Sequence, residues 1–469
     1  MTKHDEAVQV AARERLFDAE LAEVLDVPVA AVSEPQVRAQ GAAWLAAALV
    51  LLGVFVAAGV AWLRCVEDAS TAQEPGGFDP VFPWYERFPS LTIATGAAVL
   101  ASLPPVTSLG MRLEDDRNLA FLERQCDLRH LMVLTSDRVE CALSREALRA
   151  IAALPNLESL EFTDKVQATA DDLRELRVAP KLDALSLCGS PIRLDAKLGA
   201  VLVELPKLRL LQTWDAEVTI EGLETLAGMP HLEALILGRM RIDDATVAAL
   251  AKLRTLRVLG IFGDVPRYGS KPMARLSASH VRALAKLPRL VSLSLEHCTV
   301  DDEALASLPL TLQSFCLGAV DGVTAAGLQS VAKLPRLRAL SLAESGSDPL
   351  ILAAAVHLVR ALKLERFESP NAVLPADLWA AFADQPLLRH LQLRCPDAGA
   401  PNLSPCTTMP ALEQLKLFMP KSLVPADLAP LKELPKFRSL VVIGLAGLPA
   451  DQREALVDCL GPGVTVLLQ

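Results

Sequence analysis

At 469 residues the chain exceeds what one compact core organises, so it must divide into domains or into a repeat array. Aromatic residues make up only 4% against 52% apolar residues, which argues against a core of large aromatic plugs and suits many small aliphatic layers. The formal charge of −10 argues against a broad nucleic-acid surface, because neutralising phosphates needs a basic one.

Residues 1–40 read as an acidic N-terminal tail with four Lys or Arg against eight Asp or Glu. Within 11–25, Leu16, Leu21 and Leu25 approximate helical spacing among charges, and Pro28 and Pro35 end that pattern.

The next segment, 41–63, is predicted to be one transmembrane helix. Its run GAAWLAAALVLLGVFVAAGVAW at 41–62 carries no charge. Its Leu, Val and Phe side chains favour insertion by roughly 3–5 kcal/mol. Trp44 and Trp62 stand about 27 Å apart along a helix, which sets an indole near each interface of a hydrocarbon layer about 30 Å thick. A cleaved signal peptide is the competing reading, since Gly59-Val60-Ala61 offers a small-x-small site. The long acidic tail ahead of it argues for a permanent anchor. Arg38 and Arg64 nearly balance across the segment, so the side is decided by the acidic tail, which favours a cytoplasmic N-terminus with the remainder outside.

Residues 64–118 are expected to hold a linker and an N-terminal cap. Glu74-Pro75-Gly76-Gly77 marks the flexible point. Phe78, Phe82, Trp84, Tyr85 and Phe88 follow, an aromatic cluster suited to covering the open end of an aliphatic stack or to resting on a membrane interface.

From 119 to 469 the chain repeats. Strands of the form L-x-x-L-x-L open at Leu128, Leu157, Leu182, Leu208, Leu232, Leu256, Leu290, Leu312, Leu337, Leu364, Leu388 and Leu412, and Phe437 takes the same place in the last copy. Most steps are 24 to 27 residues, and one, between Leu256 and Leu290, is 34. One copy, LETLAGMPHLEALILGRMRI at 223–242, shows a helical stretch, a Met-Pro stop and the strand. Prolines at 206, 288, 335 and 435 stop the helix before each strand. The Asp pairs 171–172, 243–244 and 301–302 fall where the next helix starts and are read as caps.

These strands resemble the leucine-rich-repeat family over about three quarters of the chain, closest to its longer, cysteine-containing or ribonuclease-inhibitor-like variety. The resemblance implies an α/β solenoid: a horseshoe of parallel strands with outer helices, binding a partner on the concave face. Cys298 occupies the family's Asn/Cys position after the strand. Ser190, Met240, Val320, Ser345, Pro396 and Pro420 stand there elsewhere, so the family's Asn ladder is absent and the subclass stays open. Physics favours an array. Some five buried aliphatics contribute about 8–15 kcal/mol per repeat, less than the cost of ordering its backbone, so stacking must supply the rest.

The second, fourth and sixth residues after each opening leucine should face the concave surface. Among them Leu210, Trp214, Ile236, Val258 and Phe262 form an apolar patch on a face expected to be wet, which suggests a partner surface. The long step adds the loop 264–275, with Arg267, Tyr268, Lys271 and Arg275, beside that patch. Further on, Arg366, His390, Arg394 and Lys416, tempered by Glu368, could grip an acidic segment or a carboxylate.

Signatures of catalysis are missing: no H-E-x-x-H, no P-loop and no G-x-S-x-G. No cofactor or metal is implied. Nine cysteines without C-x-x-C spacing argue against a disulfide framework, with Cys395–Cys406 and Cys126–Cys141 the pairs worth testing. The expectation is a single-pass, membrane-anchored module that holds a protein or peptide, with no nucleic acid and no catalysis. The alternatives are an envelope scaffold self-associating through Gly53 and Ala57, or a repeat-containing effector enzyme.

Overall fold

The computed structural model describes residues 92–95, 105–113 and 119–468. Excepted from the last span are 136–140, 163–165, 189–191, 215–216, 239–241, 264–273, 319–321, 343–348, 396–400 and 445–449, and positions 384, 421 and 462. All described residues fall in one compact unit, Ala58–Gln469. The tail, the apolar run 41–62, the aromatic cluster 78–88 and most of the loop 264–275 lie outside them.

One parallel sheet of sixteen strands runs in unbroken chain order, from Thr92–Thr95 to Thr465–Leu468. The sheet therefore starts before the repeat boundary expected at 119. Thr92–Thr95 and Ser108–Leu113 pair in register and hand on to His130–Thr135. The segment read as linker and cap thus supplies the first two strands. The sequence signal is weak there because the L-x-x-L-x-L pattern is not kept: Val106 and Met111 stand where later copies carry leucine.

All thirteen strand-opening residues, Leu128 to Phe437, are buried. In most strands two apolar residues join the same core, as Leu235 and Leu237 do, or Leu259 and Ile261. Helix residues such as Leu223, Leu226, Val247 and Leu250 close it from the other side. Every second strand residue therefore points at the helices and the alternate residues point away.

Eight successive helices open on a Ser, Thr or Asp that caps a free amide. Ser144, Thr169, Asp195, Thr219, Asp243, Ser277, Asp301 and Thr324 each accept from a backbone N–H two or three residues on. The Asp pairs at 243–244 and 301–302 cap as expected. At 171–172 the cap is Thr169, and Asp172 returns the bond to the Thr169 amide, closing a capping box. Towards the C-terminus the outer layer changes. Ser404–Thr408 and Pro425–Glu433 are 3-10 segments with proline in the first turn, and Pro430 lies inside the second. Proline removes a backbone donor, so an α-helical ladder cannot run through these stretches.

The edge of the sheet that precedes the strands carries a second ladder. The Arg209 carbonyl accepts from the amides of both Glu233 (2.8 Å) and Ala234 (2.9 Å), and Glu233 accepts from Arg257 (2.8 Å) and Val258 (3.0 Å). The same pattern holds at every step from Thr107 to Glu413. Over two stretches of this edge, Arg209 to Arg257 and Arg338 to Arg438, the side chains alternate in charge. Glu233 lies 2.9 Å from Arg209 and 3.7 Å from Arg257, Arg338 pairs with Glu365, and Glu413 sits between Arg389 and Arg438.

Cys298 is fully buried, and its thiol donates to the Glu296 carbonyl at 3.1 Å and approaches that of Ile261 at 3.7 Å. Burial pushes its pKa up to about 12, so it stays protonated and serves as a donor to main-chain carbonyls. Gly263 faces it, because a Cβ there would lie 1.8 Å from the His297 oxygen. Cys126, Cys395 and Cys406 are free, so the pairing of Cys395 with Cys406 does not form.

Truncating Leu295, which is fully buried in the strand Ser292–Glu296, is expected to cost about 2–5 kcal/mol. Asp301→Ala, which removes a cap, should cost about 0.5–2 kcal/mol. Urea unfolding of the two variants checks both values, and equal costs would contradict this assignment of roles.

Candidate functional site

The helix-free face of the sheet is where the chain varies from repeat to repeat. In-register neighbours across it run Leu210, Ala234, Val258, Ser292, Ser314 and Ala339, then Arg366, His390 and Gln414. None of these belongs to the core between sheet and helices. The predicted orientation of Leu210, Ile236, Val258, Phe262, Arg366, His390, Arg394 and Lys416 is therefore the one observed. Trp214 ends the strand Leu210–Trp214, in register with Cys188.

The expected exposure of the apolar group is not observed. Leu210 and Val258 are 0% exposed, Ile236 is 6% and Phe262 is 9%. Part of this burial is lateral. Strands about 4.8 Å apart set side chains of one face against each other. At Gly260, which has no side chain of its own, the Phe262 ring and Ile236 fill the gap: a Cβ there would meet Phe262 Cε2 at 3.0 Å and Ile236 Cγ2 at 3.3 Å. These residues form a packed apolar floor and not an open patch.

In the middle of the face the sequence reading overlooked a small polar group. Ser294 Oγ donates to Glu296 Oε1 at 2.9 Å, and the Cys316 thiol donates to the same oxygen at 3.3 Å. Burial, reinforced by the Glu296 charge, raises the Cys316 pKa well above its ordinary value, so the thiol acts as a donor and not as a nucleophile. The signal that could have found these residues was their position: Ser294 and Glu296 stand four and six places beyond Leu290, and Cys316 stands four beyond Leu312, in register with Ser294.

The cationic group is brought together as predicted, but its charges are mostly committed. Arg366 pairs with Glu368 two residues on, and both side chains are largely buried. His390 Nδ1 lies 3.1 Å from Gln414 Oε1. Burial, then the neighbouring Arg366 guanidinium, lowers the His390 pKa to about 3, so its ring is neutral at physiological pH. Lys416 is 4% exposed, with its ammonium 5.3 Å from the centre of the Phe418 ring. Arg394 ends the strand His390–Arg394, half-buried and in register with Phe418. Gln414 and Gln392 complete the group and carried no sequence signal beyond their place on this face.

The His390 shift makes stability depend on pH. Its folded pKa lies below the ordinary value of 6.5, so the unfolded chain binds the extra proton between the two. The contribution is complete above about pH 6.5 and is lost as pH falls towards 3. At pH 5 the wild-type chain should lose roughly 2 kcal/mol more than a His390→Gln chain, relative to pH 7.5. Urea midpoints at the two pH values test this, and parallel changes in both proteins would show that His390 is not the group responsible.

No protein-family model matches the sequence, and no curated protein does. Among solved structures the chain is similar to an internalin from Listeria monocytogenes at 15% identity, covering 88% of this chain and 96% of that one, with a TM-score of 0.30. It is also similar to a chain of a TLR13–ssRNA13 complex at 16% identity, covering 75% of this chain and 63% of that one, with a TM-score of 0.40. The chain's own geometry is a repeat array of leucine-opened parallel strands in chain order, with capped helices on one face.

Proposed function

We propose that this chain is a membrane-anchored binding module. Its repeats hold a protein or peptide on the helix-free, concave face of the sheet, and it carries out no catalysis. The observation that supports this reading is the contrast between the two sheet faces. The core face repeats Leu, Ile and Val with little change, as packing demands. The other face changes from an apolar floor at Leu210, Ile236 and Phe262, through Ser294 and Cys316, to a charged end at Arg366 and Lys416. Stacking alone requires no such gradient, whereas recognition of one extended partner does. A protein fits better than a nucleic acid, given the net charge of −10.

The anchor is segment 41–62. Among the described residues no helix is long and apolar enough to cross a membrane, so the anchoring reading rests on that segment's composition.

Photo-cross-linking in cells tests the binding face. A benzophenone side chain at Gln392, half-buried on the helix-free face, is expected to capture a partner, while one at Lys252 on the helix side is not. Equal capture at both sites, or none at Gln392, would remove the reading. The membrane side is tested by a chain whose single cysteine is Cys126, which is exposed. An impermeant maleimide should label it in intact cells, and labelling only after lysis would place the repeats inside. Deleting 41–62 should release the protein from membranes washed in alkaline carbonate.

A further inference from the structure

Each helix ends at the rim of the sheet where the next strand begins, so the turns between them stack along one edge. The stacking is direct: Thr255 Oγ1 donates to the Leu232 carbonyl at 2.5 Å, and Thr311 Oγ1 to that of Leu290 at 2.6 Å. In the middle of the array these turns are rich in cations. Arg254, Arg289, Arg336 and Lys363 stand one or two places before a strand-opening leucine, and Lys286 and Lys333 stand at the ends of two helices. All six are exposed, and among the described residues no ion pair engages any of them.

Nothing local neutralises this ridge. The turns 251–256, 285–290, 307–312, 332–337 and 360–364 contain no Asp or Glu. The carboxylates closest in sequence are spoken for: Glu224 pairs with Lys252, Glu233 with Arg209 and Arg257, and Glu365 with Arg338. The like charges are felt at Arg257. Burial lowers its pKa, Glu233 opposes the change, and the charges of Arg209 and Arg289 lower it further. A helix end carries only about half a negative charge, so one cation satisfies it. Lys286 with Arg289, and Lys333 with Arg336, exceed that need.

Two copies carry an exposed leucine in place of the cation. Leu310, between Arg289 and Arg336, is 65% exposed, and Leu387, one copy beyond Lys363, is 44% exposed. With strands about 4.8 Å apart, the row from Arg254 to Leu387 extends roughly 24 Å. Phosphates of any source would suit the cations, and the leucines decide between sources. Against a nucleic-acid backbone they would stay in water, and these turns hold no Phe, Tyr or Trp on which a base could stack. At a bilayer surface the cations meet headgroup phosphates while the leucines enter the acyl boundary.

We propose that this rim, from Arg254 to Leu387, is a docking edge for an anionic lipid surface. It is a second membrane contact, separate from the apolar run 41–62 and from the helix-free face, and it goes beyond the binding-module reading without depending on it. The attraction acts over about 10 Å at ordinary salt, so the local ridge governs it and not the net charge of −10.

The test uses the full-length chain with a donor dye on an azido side chain at Ala361, exposed on this rim, or at Ala326, exposed at the opposite one. The chain is reconstituted in vesicles of phosphatidylcholine, or of equal parts phosphatidylcholine and phosphatidylglycerol, with an acceptor dye on a headgroup. From neutral to anionic vesicles, energy transfer from Ala361 should rise about two-fold or more, and that from Ala326 should not. About 1 M sodium chloride, which shortens the screening length to about 3 Å, should reverse the rise. Arg289→Gln, Arg336→Gln and Lys363→Gln together should abolish it, and Leu310→Ser should reduce it, with thermal midpoints unchanged because these side chains are exposed. Arg193→Gln, Lys197→Gln and Arg453→Gln together make the same change of charge away from this rim and should leave it intact.

No rise on anionic vesicles, an equal rise from Ala326, or a rise untouched by the ridge triple variant or by Leu310→Ser would each overturn the proposal. So would a ridge-dependent binding of a labelled DNA duplex with no response to vesicles, which would assign the ridge to nucleic acid. A chain that fails to stay with neutral vesicles removes the anchoring reading alone. It should still float with the anionic vesicles, and the triple variant should not.

Discussion

One backbone carbonyl per repeat sets the register of everything else. From Thr107 to Glu413, the carbonyl before each strand accepts from two successive amides of the next copy. A buried amide left without an acceptor is costly, so each strand has one position where it can dock. Repeat steps of 22 to 34 residues leave this arrangement undisturbed. The 34-residue step shows it: Arg257 still takes the amides of Val291 and Ser292 at 2.9 and 3.0 Å.

Register then decides chemistry. Because side chains alternate along a strand, fixing one residue assigns every other residue to the core or to the helix-free face. The core side must be filled the same way in each layer, and Leu, Ile and Val recur there. The helix-free side carries no such demand. It is where His390, Gln414 and Lys416 come within reach of Arg366 although up to fifty residues separate them in the chain.

Charge on this protein is arranged by repeat as well. Arg and Glu alternate along two stretches of the strand-preceding edge, where Glu233 and Glu413 each meet guanidinium groups from the copies on either side. Exposed pairs of this kind contribute little singly. Here the side chains at Glu233 and Glu413 are largely screened from water, and each is shared by two arginines, which gives each of those stretches an electrostatic seam. The alternation is broken at Glu158 and Asp183, two successive acids, and again at Val291 and Gln313, directly after the long step.

The repeat period, the strand-opening leucines, the proline stops and the helix caps at Asp243 and Asp301 were legible in the sequence, because each is a local rule satisfied within one copy. The direction in which Leu210, Ile236, Val258, Arg366 and Lys416 point was legible too, since it follows from alternation alone. What those side chains meet was not. Whether Ile236 is wet depends on Gly260 and Phe262 from the next repeat, whose ring and missing side chain bury it. Whether His390 carries charge depends first on its burial by stacking, then on Arg366 and Gln414, each a repeat away. The start of the sheet at Thr92 was likewise hidden, because those strands lack the repeat pattern and are recognised only by the partner they pair with. Sequence determines properties that one residue's own geometry dictates; burial and ionisation are properties of neighbours brought in by stacking, and only the tertiary structure could decide them.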